Sequence, residues 1–173
     1  MSTDFIAYAG DCRITGTIAL ADSERLTDLL NREASVAVTS AELISTVDGH
    51  VVQLDELALD LAEIFAIEPL GSRGSSDRRI HTVRHRLQLK LGPYTVLGQL
   101  HTMPGGLPLS AIGRRPALIP LTRATIAFND YRGVQARDVD TLIVNRDLAD
   151  WVRADAAELP AFAGVPLGLP PTV

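Results

Sequence analysis

One pattern of apolar and small polar residues occurs twice in this 173-residue chain, and it constrains the fold more than any other feature. It runs through residues 25–47 and returns through residues 108–126. The matched positions are Leu26, Thr27, Leu29, Val36, Val38, Thr39 and Ala41 in the first copy and Leu109, Ser110, Ile112, Ile119, Leu121, Thr122 and Ala124 in the second. We therefore interpret the chain as two copies of one small unit.

A β-hairpin is predicted ahead of each copy of this pattern. Apolar and polar residues alternate over 12–20 and again over 87–91, which is the period of a half-buried strand. In one register Gly10 aligns with Gly92, and Gly16 aligns with Gly98. Because a glycine inside a strand pattern is typical of a bulge or a close backbone approach, the second pair indicates a shared irregularity.

A helix of about two turns is predicted next in each copy. Leu26, Leu29 and Leu30 fall on one helix face. In the second copy Pro108 suits the first helical position and Gly113 suits the end of the helix. Such short helices are marginal alone, so we expect packing against strands to stabilise them.

A second hairpin follows each helix. Asp48 and Gly49 predict a tight turn because both residue types tolerate positive φ. Pro120 interrupts a strand pattern, so that strand is expected to be an edge or to be bulged there. The predicted strands are 36–47 and 51–61 in the first copy and 118–129 and 134–144 in the second. The apolar closing segments, 62–67 and 147–152, fit either a helix or a strand.

These elements predict a mainly β (α+β) protein made of two tandem β-β-α-β-β repeats. A unit of about 65 residues is marginal alone, so the two repeats are expected to pack against each other. The predicted boundaries are 4–68 for an acidic first repeat, 69–85 for a Gly/Ser/Arg-rich linker, 86–153 for a second repeat that is basic and then acidic, and 154–173 for a Pro-rich tail.

The motif from Arg25 to Asn31, followed by an apolar strand, resembles bacterial small-β-barrel domains of unknown function. The strand pattern is also distantly similar to Sm-like barrels. The second copy departs from the motif, since Leu107 replaces Arg25 and Ala111 replaces Asp28. The resemblance implies that the repeats form small barrels or a pseudo-twofold double barrel, and it carries no catalytic residues across.

Residue patterns for common chemistries are weak, so we predict a non-enzymatic protein with no metal and no cofactor. His81 and His85 lie in a strand-like segment, where a spacing of four residues places them about 13 Å apart, too far for one ion. Cys12, the single cysteine, lies in a strand pattern and is interpreted as a packed residue. The glycine- and serine-rich segment 71–79 lacks the pattern of a P-loop.

Charge is divided unevenly along the chain. Residues 1–70 hold 13 acidic and 3 basic residues, whereas residues 71–137 hold 2 acidic and 11 basic ones. The remaining residues, 138–173, hold 6 acidic and 2 basic residues, and the whole chain has a net charge of −5. The candidate interaction or anion-binding residues are Arg73, Arg78, Arg79, Arg84, Arg86, Lys90, Arg114 and Arg115.

Three interpretations of this division stay open. The acidic and basic copies could pair within one molecule. The basic face of one chain could instead bind the acidic face of the next, giving head-to-tail self-assembly. Binding of nucleic acid or another polyanion through 73–90 is the third, with Tyr94, Phe128 and Tyr131 as the stacking candidates of the basic block.

The sequence thus favours an interaction or scaffold module that acts through charge-segregated protein surfaces. Its expected partner is another protein or a second copy of itself, with nucleic acid as the alternative. No secretion signal follows Met1, and no apolar run is long enough to span a bilayer, so a cytoplasmic location without membrane contact is expected.

Overall fold

The computed structural model describes residues 1–71 and 82–154, in which strands dominate and two short α-helices occur. The strands are β1 (Ser2–Tyr8), β2 (Cys12–Ala19), β3 (Ser35–Ser45), β4 (Val51–Asp60), β5 (Ala66–Pro69), β6 (Val83–Leu91), β7 (Tyr94–Thr102), β8 (Leu118–Asp130), β9 (Gly133–Asn145) and β10 (Trp151–Ala154). The helices are α1 (Leu26–Arg32) and α2 (Pro108–Arg114), and 3₁₀ turns cover Leu61–Glu63 and Arg146–Leu148. The mainly β class predicted from the sequence is confirmed.

All ten strands form one open antiparallel sheet in the order β10-β6-β7-β8-β9-β5-β1-β2-β3-β4. The two barrels predicted from the sequence are not confirmed. A barrel made of the first half alone would need β5 to pair with β4. The second edge of β5 pairs instead with β9, with Ala66 opposite Val144 and Ile67 opposite Ile143. This contact between β5 and β9 is called the joint below.

The two halves have the same order of elements and of strands. In each half the closing strand lies beside the first strand, giving β5-β1-β2-β3-β4 and β10-β6-β7-β8-β9. The closing segments that fitted helix or strand are a 3₁₀ turn followed by a four-residue strand. Asp60 and Asn145 cap those turns alike, each accepting the amide N–H two residues further on.

Gly16 and Gly98 lie at matching irregularities. The register of β2 against β3 shifts at Gly16, and that of β7 against β8 shifts at Gly98. On the facing strands Ser40 and Arg123 have left-handed backbone, with φ of 52° and 47°. A Cβ on Gly16 would lie 2.4 Å from Val38 Cγ1 and 3.2 Å from the Thr39 carbonyl oxygen. Both glycines therefore allow a close approach between strands.

The sequence match of Leu29 with Ile112 is wrong by one residue, whereas the match of Arg25 with Leu107 is correct. The first full helical bond joins Leu29 N–H to the Arg25 carbonyl in α1 and Ala111 N–H to the Leu107 carbonyl in α2. Leu29 thus corresponds to Ala111 rather than to Ile112, and Asn31 corresponds to Gly113. The second half has one more residue than the first between its helix and the next strand. That loop has no periodic pattern from which the insertion could be recognised.

Two apolar clusters share residues across the joint. The cluster of the first half includes Leu118 and Ile143 from the second half. The cluster of the second half includes Tyr8 and Ala66 from the first. Neither core is therefore complete within its own half. Neither helix of the described part is long and apolar enough to cross a bilayer.

Candidate functional site

The predicted basic residues are only partly brought together. Arg73, Arg78 and Arg79 lie outside the described residues. Arg84, Arg86 and Lys90 alternate along β6 with buried Leu87, Leu89 and Leu91 and therefore share the face turned away from the core.

The remaining pair of predicted residues lies at the end of α2, and the two differ in role. Arg114 is exposed. Arg115 is partly buried and donates a hydrogen bond to the carbonyl of His101, the residue opposite Arg84 in β7. Burial lowers the pKa of the Arg115 guanidinium. Arg115 thus stabilises the segment after α2 rather than presenting a free charge.

The stacking residues proposed from the sequence are mostly inaccessible. Tyr94 and Phe128 are buried, and only Tyr131 is exposed. The aromatic side chain beside the basic face is Trp151 of β10, which is opposite Lys90 and lies 4.5 Å from the Arg153 guanidinium. Sequence reasoning missed both residues because the four-residue strand that carries them is too short to show a period.

The imidazoles of His85 and His101 are held by hydroxyl groups. His101 lies between Thr82 and Thr122, at 3.0 and 2.8 Å, and His85 contacts Thr102 at 2.9 Å. These contacts connect neighbouring strands.

A cleft of about 190 Å³ between α1 and β3 is lined by Leu29, Glu33 and Val36 among others, and Glu33 is its one ionisable residue.

An ion pair between a buried carboxylate and an exposed guanidinium spans the joint. The Arg137 guanidinium donates from Nε and Nη2 to the two carboxylate oxygens of Glu68, at 2.9 Å each. The Glu68 side chain is 8% exposed and that of Arg137 46%. Tyr8 also donates its hydroxyl to Glu68, at 3.2 Å. This pair joins the acidic block of the chain to the basic one.

Asn31 makes a second polar contact across the halves. Its Nδ2 donates to the Leu118 carbonyl at 2.8 Å, and its Oδ1 accepts the Leu118 N–H at 3.0 Å. The amide thus supplies to β8 the donor and acceptor that a neighbouring strand would supply. α1 is thereby docked on the second half.

Four aromatic rings, two from each half, pack against one another. Tyr8, Tyr94 and Phe128 lie with centroids 5.5–5.9 Å apart, and Phe65 lies 5.7 Å from Tyr94. Such distances are typical of favourable edge-to-face contacts. Burial raises the pKa of both tyrosine hydroxyls well above the usual value, and the neighbouring Glu68 carboxylate adds to the effect at Tyr8.

We expect the protein to lose stability as the pH rises above 10. The unfolded chain releases its tyrosine protons near pH 10, whereas Tyr8 and Tyr94 retain theirs in the folded protein. Their contribution is fully present below pH 10 and declines above it. Urea midpoints measured between pH 8 and 11 should fall, and the fall should be shallower in Tyr8→Phe. Equal slopes in the two proteins would contradict this assignment.

The sheet ends in two edges whose chemistry differs. β4 pairs only with β3, and β10 pairs only with β6, among residues 1–71 and 82–154. β4 exposes Val51, Val52 and Leu54, at 47%, 40% and 38% of their surface. Its charged residues are all acidic, whereas those of β10 and β6 together are all basic: Asp55, Glu56 and Asp60 against Arg84, Arg86, Lys90 and Arg153.

Comparison with family models, with curated proteins and with solved structures finds no match to this chain. The function is therefore inferred from the geometry of the joint and of the two edges of the sheet.

Proposed function

We propose that this protein is a non-enzymatic interaction module that binds protein partners by strand addition at the edges of its sheet. The proposal rests on β4, a ten-residue edge strand that exposes Val51 on one face and Val52 and Leu54 on the other. An unpaired strand edge offers backbone donors and acceptors to an incoming strand, and exposed side chains add specificity. The single Cys12 suits a reducing compartment, and we place the role in the cytoplasm.

The composition of β4 supports binding rather than protection. Edges that must stay unpaired are commonly short, contain proline, or carry charged side chains, above all lysine. β4 is long and has no lysine or proline, and its charged residues are carboxylates. Its carboxylates at Asp55, Glu56 and Asp60 would favour a partner with basic side chains and disfavour an acidic one.

The distribution of ionisable groups supports a non-enzymatic role. Within the described residues, Glu68 and Asp130 are bound to arginines at 2.9 and 3.1 Å, and His85 and His101 are bound to threonines. Burial opposes ionisation of Asp130, but the amide and guanidinium of Arg132 outweigh it and hold the Asp130 pKa below its usual range. These groups stabilise strands and turns rather than converge on a cleft.

A photo-crosslinking amino acid at Gln53, an exposed position of β4, tests the proposal. In an extract of the source cells, it should form a discrete cross-linked product that disappears when Ala58→Pro blocks the edge. Ala58→Val should keep the product, since it retains the backbone N–H. A product that persists at the same yield with the proline present would contradict strand addition.

The basic face of β6 and β10 favours polyanion binding as a second candidate function. Four basic side chains, Arg84, Arg86, Lys90 and Arg153, lie on two adjacent strands with Trp151 among them. This function predicts that the protein binds single-stranded nucleic acid with an affinity that falls steeply with salt. Ala58→Pro should leave that affinity unchanged.

A further inference from the structure

We propose that the partner of the β4 edge is a second copy of this chain, whose β10 edge adds to β4 as β5 adds to β9 in the joint. This inference rests on the proposed function, because it names the occupant of the same edge. The two outer strands of the described sheet, β4 and β10, are the counterparts of the two strands that meet in the joint.

The correspondence follows from the shared strand order. β5 and β10 are the closing strands of their halves, and each pairs with the first strand of its half. β9 and β4 are the fourth strands, and each pairs with the third. Capping of the 3₁₀ turns by Asp60 and Asn145 fixes the register, so that Ala66 corresponds to Trp151 and Val144 to Leu59.

The joint then gives the register of the proposed contact. Ala66 opposite Val144 and Ile67 opposite Ile143 become Trp151 opposite Leu59 and Val152 opposite Ala58 of the next chain. In the joint Asn145 N–H donates to the Phe65 carbonyl at 2.9 Å. The corresponding bond runs from Asp60 N–H of one chain to the Asp150 carbonyl of the other.

Charge complementarity favours this occupant. The incoming edge carries Arg153, with Lys90 on the strand behind it. In the proposed register Arg153 lies opposite Leu57, and Asp55 is the next residue of β4 on the same face. Two β4 edges would instead bring like charges together, which disfavours a symmetric β4 dimer.

The contact between chains is expected to be weaker than the joint. The positions of Tyr8 and Phe65 are occupied by Lys90 and Asp150 in the second half, so the buried aromatic cluster has no counterpart there. Backbone hydrogen bonds and charges remain as the main stabilising contributions. Association should therefore be reversible and should weaken with salt, since the Debye length is about 8 Å at 0.15 M.

The arrangement is head-to-tail. β4 and β10 lie at opposite ends of the open sheet, so one chain can bind a neighbour at each end. A heterologous contact of this kind gives a ring when the rotation closes and a filament when it does not. The smallest ring is a dimer in which each chain donates one β10 edge.

Proline at Ala58 is a selective block for the acceptor edge. Leu61 N–H donates to the Ala34 carbonyl, on the side of β3. Because the amides of a strand alternate in direction, those of Asp60 and Ala58 point away from β3. Proline at Ala58 therefore removes an outward donor and leaves the pairing with β3 intact, as edge strands tolerate. Val152 corresponds to Ile67, so Val152→Pro blocks the donor edge in the same way.

Analytical ultracentrifugation at low and high salt tests the inference on the full chain. The wild type and Ala58→Val should associate with rising concentration at low salt, and high salt should reduce the association. Ala58→Pro and Val152→Pro should each weaken it by more than about tenfold. A mixture of the two proline variants should form a one-to-one heterodimer and nothing larger, because each retains the edge that the other lacks. Circular dichroism of each variant checks that it is folded.

Three outcomes would overturn the inference. These are a wild type that stays monomeric at high concentration and low salt, a folded Ala58→Pro that associates as the wild type does, and a mixture that forms no heterodimer. If the Gln53 cross-link to a different protein persists in a monomeric wild type, the proposed function stands and only self-assembly fails. If the wild type neither associates nor forms a cross-link from Gln53, both the proposed function and the self-assembly are wrong.

Discussion

Gly16→Val is expected to destabilise the protein by about 3 kcal/mol or more, at the upper end of the range for overpacked cores. A Cβ at this position would approach Val38 Cγ1 to 2.4 Å and the Thr39 carbonyl oxygen to 3.2 Å. Val38 is fully buried and branched at Cβ, so its side chain cannot turn away. Urea unfolding followed by circular dichroism measures the loss.

Two other glycines provide controls for this substitution. At Gly98 the nearest atom to an added Cβ would be Leu121 Cβ at 3.0 Å, so Gly98→Val should cost less than Gly16→Val. Gly113 has no atom within 4 Å of an added Cβ, and Gly113→Ala in α2 should stabilise by about 0.5–1 kcal/mol. A Gly16→Val protein as stable as the wild type would show that β2 and β3 do not approach closely.

Arg137→Ala is expected to cost about 1.5–3 kcal/mol, the range for hydrogen bonds to charged groups. Among the described residues, it leaves the Glu68 carboxylate, which is 8% exposed, with the Tyr8 hydroxyl as its remaining side-chain donor. Exposure of Arg137 to solvent keeps the expected cost below that of a fully buried pair. Thermal or urea unfolding of Arg137→Ala, of Glu68→Gln and of the variant with both changes gives the coupling energy between the two side chains.

A neutral amide at Glu68 separates lost charge pairing from lost packing. Glu68→Gln in the Arg137→Ala background should recover part of the stability, because no buried charge is then left unpaired while Tyr8 keeps an acceptor. Arg84→Ala, at an exposed position of β6, should change stability by less than about 0.5 kcal/mol. Equal losses for Arg137→Ala and Arg84→Ala would mean that the ion pair does not stabilise the joint.

The sequence predicts the elements within each half because they depend on local pattern. Alternation around Gly16 and Gly98, the turn at Asp48 and Gly49, and the short helices all depend on residues within one hairpin or helix. The position of Pro120 also follows from local chemistry. It lies beyond Thr122, the last residue of β8 in register with β7, and its lack of an N–H is tolerated there.

The joint could not be predicted in the same way. β5 and β10 have four residues each, which is too short for a period to identify them. Ala66 and Ile67 are apolar and would suit several partner strands, so nothing local selects β9. Of the candidate residues, β6 orients Arg84, Arg86 and Lys90 by alternation, whereas burial of Tyr94 and Phe128 depends on rings contributed by the other half. The resemblance to small β-barrel domains stays a prediction.

The joint also determines the order in which the chain can reach its native contacts. Ile67 and Ile143, which are paired there, are separated by 76 positions, whereas four of the other strand pairs are hairpins. Closing such a long loop carries an entropic cost that hairpins avoid, so contacts of high sequence separation form late and slowly. Each half therefore presents an incomplete core while the chain folds, until Leu118 and Ile143 cover one and Tyr8 and Ala66 cover the other.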